Sequence, residues 1–105
     1  MNAALFIRHR AKSGLRDAVR RVWEKHVKPR ALANPDHLAY YFCFDETDDD
    51  VICVFQLYRN KESMAAFLSG DWYPGYLADI NEVVADAPQV MPASLVWAKS
   101  SPANL

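Results

Sequence analysis

The sequence predicts an α+β domain, one antiparallel sheet with its helices gathered on one face. Three observations predict it. Residues 3–10, 37–44, 51–59 and 89–99 are rich in β-branched and aromatic residues and read as strands. Between them, apolar residues recur every three or four positions, the period of a buried helical stripe. The resulting order, βαββααβ, joins the two middle strands by a short acidic turn, so they pair antiparallel. Together these define a ferredoxin-like sandwich with segregated helices.

Each element has its own signal. Ala3 to Arg10 contains neither Gly nor Pro and alternates Leu5, Ile7 and His9 against Phe6, Arg8 and Arg10. Ser13 is the expected cap of the first helix. Leu15, Ala18, Val19, Val22, Trp23, His26 and Val27 form its stripe, and Pro29 to Pro35 is expected to end it. His37 to Phe44 is apolar on both faces, so cover on both is expected. Asp45 to Asp50 is a turn whose carboxylates lack the glycine and distant Glu of an EF-hand calcium loop. Val51 to Arg59 follows; a connection of about five residues sets Cys43 opposite Cys53 and Tyr40 opposite Gln56.

Lys61 to Ser69 is a short helix. Asp71 is the expected cap of the next, with Pro74 in its first turn. Tyr76, Leu77, Ile80, Val83, Val84 and Ala87 give it a buried stripe that Pro88 stops. Gln89 to Lys99 is the last strand, where Pro92 marks an edge or a bulge. Residues 100–105 are a polar tail. A single domain is expected over residues 1–105, with its core at 4–99.

Composition excludes several classes. The chain has 105 residues and is 51% hydrophobic, against disorder. No run approaches the ~18 apolar residues of a membrane helix. The start, Met1 to Phe6, meets Arg8, His9, Arg10 and Lys12 too soon for a signal peptide. A soluble, cytoplasmic protein is expected. Residues 1–30 carry +7 and the remainder −8, which reads as solvated faces in balance. The third strand lacks the basic and aromatic signature of an RNA-recognition sheet, so no nucleic-acid partner is expected. With three glycines there is no phosphate loop and no GxSxG elbow. His9, His26 and His37 fall on three elements without ligand spacing, and Cys43 and Cys53 form no CxxC, so no metal site is expected. The two cysteines are expected as buried free thiols. Strands apolar on both sides leave one sheet face bare, and a second copy, sheet against sheet, is the expected cover.

With these elements in place, residues 4–99 resemble the antibiotic biosynthesis monooxygenase family of dimeric α+β barrels. The resemblance rests on Lys12-Ser13-Gly14 opening the first helix, Leu38-Ala39-Tyr40 in the second strand, Gln56-Leu57-Tyr58 closing the third, and Asn60-Lys61-Glu62-Ser63 starting the second helix. The chain departs from the family at Asp36, where members often carry Gly, and at Gln56, where they often carry Glu. Phe67 and Trp72 stand in a segment where many members place histidines. The resemblance implies oxidation of a small aromatic, quinol-type substrate by molecular oxygen with no cofactor. Another branch degrades haem with an Asn, a Trp and a His; those places hold Ile7, Phe67 and Leu77, so haem chemistry is not expected.

Such an oxygenation needs an apolar pocket, a base and aromatic walls. His9, on the strand face turned to the helices, is the candidate base, and Tyr73 the second catalytic candidate. Gln56, Tyr58, Phe67, Trp72 and Tyr76 are the candidate substrate-binding residues. Tyr58, Trp72, Tyr73 and Tyr76 are expected to line one cavity with His9 at its mouth or floor. The competing reading is a non-catalytic dimer of the same fold that binds a small ligand or serves as a structural module.

Overall fold

The computed structural model describes residues 1–100; residues 101–105 of the polar tail lie outside the described residues. The strands are β1 (Ala3–Arg10), β2 (His37–Phe44), β3 (Val51–Tyr58) and β4 (Gln89–Ser94). The helices are α1 (Arg16–His26), α2 (Lys28–Ala33), α3 (Lys61–Leu68) and α4 (Tyr73–Ile80). The strands form an antiparallel sheet in the order β2-β3-β1-β4. This is the ferredoxin-like α+β arrangement expected from the sequence.

Register assigns the faces. Leu5 opposes Gln56, Ile7 opposes Val54 and His9 opposes Ile52 across β1 and β3. Tyr40, Phe42 and Phe44 extend the same rows onto β2, and Cys43 stands opposite Cys53 as predicted. The helices cover this row face. Ala11, Val19, Ile52, Val54, Ile80 and Val84 form the core there. Trp23 of α1 stacks on Phe42, centroids 4.5 Å apart, and its indole N–H donates to the Tyr40 hydroxyl at 2.9 Å. The buried polar end of Trp23 is thereby satisfied.

Several expectations need correction. Ser13 caps nothing: α1 starts after Leu15 with no side-chain cap. Gly14 turns the chain at φ 76°, a conformation favouring glycine, and its N–H donates to Asp50 Oδ1. Pro29 does not end the helical region. It sits in the first turn of α2, where the missing N–H costs nothing. Asp71 is not the cap of α4, whose N-cap position is Trp72. That helix stops at Ile80, because Val83 O accepts from the Lys12 N–H and the Ala85 N–H donates to Arg10 O. The chain is thus pulled onto the end of β1, with Val84 bridged to Ala11. β4 ends at Ser94, opposite Ala3, where its partner strand begins.

The helices cover one sheet face only, so β2 is not covered on both sides by its own chain. On the outer face Phe6 is 41% exposed and Tyr41 and Met91 are each 61% exposed. The cysteines share that face, which is why Cys43 is exposed and Cys53 half-buried rather than both buried.

Candidate functional site

A cavity of about 500 Å³ opens between α4 and the β1–β4 edge of the sheet. Its floor is the alternating row Leu5, Ile7 and His9 of β1, with Val90 of β4 beside it. Its roof is α4, which presents Tyr73, Tyr76, Leu77 and Ile80, residues spaced three and four apart and so on one side of the helix. Asn81 and the segment Val84–Pro88 close the end beside His9, and Leu68 the other. Polar groups therefore gather at the His9 end of an apolar trough.

His9 has a fixed tautomer. Its Nε2 lies 3.0 Å from the backbone carbonyl of Asp86. A carbonyl can only accept, so Nε2 carries the hydrogen and the neutral ring keeps its lone pair on Nδ1. Across the trough, burial and the neighbouring Tyr73 push the Tyr76 hydroxyl up to about 12. Tyr76 is therefore a proton donor throughout the neutral range. It lies 6.1 Å from the His26 ring, edge to face. His26 Nε2 in turn bonds Asp79 Oδ2 at 2.7 Å, tying α1 to the roof helix.

Of the residues singled out in the sequence, His9, Tyr73 and Tyr76 meet on this cavity. Gln56 and Tyr58 do not reach it. They face the helices as expected, but under α3. Tyr58 is 0% exposed. Its hydroxyl and His37 Nε2 both donate to Gln56 Oε1, and the His37 ring stacks on Tyr58 with centroids 4.2 Å apart. Burial outweighs the Gln56 bond and lowers the His37 pKa, and it raises that of Tyr58 well beyond the usual tyrosine range. His37 Nδ1 is buried without a partner. Phe67 and Trp72 line a separate shallow groove with Arg30, whose guanidinium lies 5.1 Å from the Trp72 ring. The expected single cavity is thus divided. A chain of ring contacts still joins its parts, from Tyr58 through Phe67 and Trp72 to Tyr73 and Tyr76.

Sequence reasoning missed Asn81 and Asp86 at the His9 end. The alternation of β1 identifies Leu5 and Ile7 as floor. Nothing local in Asp86 says that its carbonyl meets His9, 77 positions away. Among the described residues, no group of three or more His, Cys, Asp or Glu side chains could hold a metal ion. No helix among them is long and apolar enough to cross a membrane.

No protein-family model matches the chain, and no curated protein matches it at a significant level. Solved structures do. A candidate antibiotic biosynthesis monooxygenase from Nitrosomonas europaea superposes with a TM-score of 0.83 at 9% identity, covering 94% of each chain. One from Caulobacter crescentus gives a TM-score of 0.83 at 18% identity over 91% of each chain. One from Chloroflexus aurantiacus gives 0.72 at 22% identity, covering 95% of this chain and all of that one. A Nitrosomonas europaea protein of unknown function also matches, with a TM-score of 0.80 at 22% identity over 95% of this chain and 94% of that one. At these identities the likeness establishes a shared fold, the one that the sequence resemblance implies.

Proposed function

We propose that the cavity binds a small electron-rich aromatic of the quinol type, and that the protein is a monooxygenase oxidising it with O2, with neither metal nor flavin taking part. The observation that carries this reading is His9: a cavity-lining imidazole, locked in one tautomer, shares an apolar trough with Tyr73 and Tyr76. His9 Nδ1 takes the phenolic proton as general base. The phenolate passes one electron to O2. The resulting radical and superoxide combine at a ring carbon, His9 Nδ1 returns its proton to the peroxide, and the hydroperoxide loses water to leave a carbonyl. One oxygen atom ends in the product and the other in water. Tyr73 and Tyr76 donate to the anionic oxygens as they develop. The apolar walls exclude solvent that would quench the radical pair. Gln56, Tyr58, Phe67 and Trp72 stand behind the cavity and serve substrate binding by fixing α3 and α4.

The test is oxygen uptake with a dihydroxynaphthalene as probe, measured against its spontaneous oxidation. Uptake above background is expected. His9→Gln should lower the turnover number about 100-fold or more while the probe still quenches tryptophan fluorescence. Quenching without uptake in the parent protein would leave the binding-module reading. Neither quenching nor uptake would sink both.

We also propose that the protein is a homodimer, pairing through the bare outer face of the sheet. The support is the apolar set Phe6, Phe55, Tyr41 and Met91 on that face. A cytoplasmic location belongs to the same reading.

A further inference from the structure

The outer sheet face carries a second chemical feature, unconnected with the cavity. Cys43 on β2 and Cys53 on β3 are register partners and both are free thiols. Directly opposed residues of an antiparallel pair share a face, with Cβ atoms about 4.5–5.5 Å apart. A disulfide asks for about 3.5–4.5 Å. The Asp45 N–H to Val51 O bond and the alternation of the ladder make this a hydrogen-bonded pair, the wider kind, so closing the difference requires an approach of about 1–2 Å. The pair sits near the free end of the hairpin, just inside the bond from Asp45 N–H to Val51 O at 3.0 Å, where the ladder gives way to the turn. Strand ends can move by that amount more readily than ladder centres.

The surroundings of the two sulfurs differ. Cys43 is exposed to solvent and open to an oxidant. Cys53 is half-buried. The Arg8 guanidinium lies 3.9 Å from its Sγ, and Asp45 Oδ2 lies 4.0 Å away. Arg8 is also paired with Asp45 at 2.9 Å.

We infer that Cys43 and Cys53 are a redox modification site, a dithiol that closes to an intrachain disulfide across the β2–β3 hairpin when it meets a low-molecular-weight disulfide. The exposed Cys43 thiolate attacks one sulfur of the oxidant. A mixed disulfide forms, and the first small thiolate leaves and takes up a proton. The Cys53 thiolate, held beside Arg8, then attacks Cys43 Sγ and expels the second small thiol. The protein loses two protons and two electrons, and the oxidant gains both. The closed form fixes the register of β2 on β3 and shortens the freedom of the turn between them.

Oxidised glutathione is the probe. The intact protein is incubated with it to equilibrium, because a second copy over this face would slow its access, and intact mass and peptide maps are then read. The parent chain is expected to lose two hydrogen masses, with Cys43 and Cys53 in one linked peptide. Cys53→Ser should instead accumulate a stable glutathione adduct on Cys43, since the resolving thiol is gone. Cys43→Ser should react far more slowly. Two independent adducts on the parent chain would overturn the proposal. So would crosslinking between chains in place of the intrachain link. Reduction with dithiothreitol should restore the parent mass, which separates the link from irreversible oxidation.

Discussion

At the scale of single residues, one absent Cβ sets the wall between two aromatic groups. Gly70 lies directly against Trp72: a methyl group there would overlap the indole Nε1 and Cδ1. The ring cannot move freely. Phe67 is 5.2 Å away on one side, Tyr73 and Tyr76 are 5.5 and 6.1 Å away on the other, and Arg30 lies over its face. Gly70→Ala should therefore cost about 1–3 kcal/mol, the usual range for overpacking, and shift the tryptophan emission. An unchanged spectrum and midpoint would mean that the ring has room elsewhere. His37 makes a pH-dependent contribution of definite sign. Burial depresses its pKa below the ordinary 6.5, so the folded chain holds it neutral where the unfolded chain takes up a proton. Its share of stability is complete above the unfolded pKa and falls away as pH drops toward the folded value. Urea midpoints should decline from about pH 7 to about pH 5, and His37→Gln should flatten that decline. An equal slope in both proteins would exclude the Tyr58–Gln56–His37 group as its source. The same residues mark how far the site was legible. Alternation along β1 and the three-residue step on α4 bring His9, Tyr73 and Tyr76 together, and both are local patterns. Tyr58 and Gln56 also face the helices as alternation demands, yet which helix covers them is decided by the path of the whole chain.

At the scale of elements, β1, β2 and β3 and the start of α3 follow directly from residue pattern. Asn60 shows why: its side chain accepts from the Ser63 N–H at 2.8 Å, while Ser63 Oγ accepts from the Asn60 N–H at 3.2 Å. This capping box is short-range and visible in the sequence. Asn60→Ala should destabilise the protein by about 1 kcal/mol, and Asn60→Asp should largely restore it. Equal midpoints for parent and alanine variant would show that packing of α3 alone fixes its start. The misread boundaries have non-local causes. The apolar period after Ile80 continues to Val84, but the chain there leaves the helix because Lys12 and Arg10 at the end of β1 supply backbone partners. Val84 is still buried, through its bridge to Ala11 rather than through a helical stripe. β4 stops at Ser94 for a like reason. Its residues beyond that point keep strong β character, and β1 has run out. A proline at the first turn of α2 reads equally as a stop and a start, and only the burial of Val27 between the two helices resolves it.

At the scale of the molecule, the bare sheet face is what the proposed dimer rests on. Four strands about 4.8 Å apart, three of eight residues and one of six at about 3.3 Å each, give a face of roughly 480 Å² in plan. Stable pairs of small proteins bury about 800 Å² on each side. The difference is within reach of the segment after β4, where Val96 is 88% and Trp97 is 77% exposed. Both are strand-forming apolar residues left in water, beside a sheet face that already exposes Phe6, Tyr41 and Met91. A twofold pair would bring each such surface against its own copy, and one patch then needs complementarity only to itself. The parent protein should scatter light as a two-chain species at micromolar concentration. Tyr41→Glu places a charge on the β2 side of the face, on a side chain that is 61% exposed and supports little of its own chain's core. It should scatter as a single chain with unchanged helix content and an unchanged His9 cavity, because the two sit on opposite sides of the sheet. A parent protein that scatters as one chain would remove the dimer. It would also leave the exposed rings of the outer face without a physical reason, since a monomer gains nothing by keeping them in water.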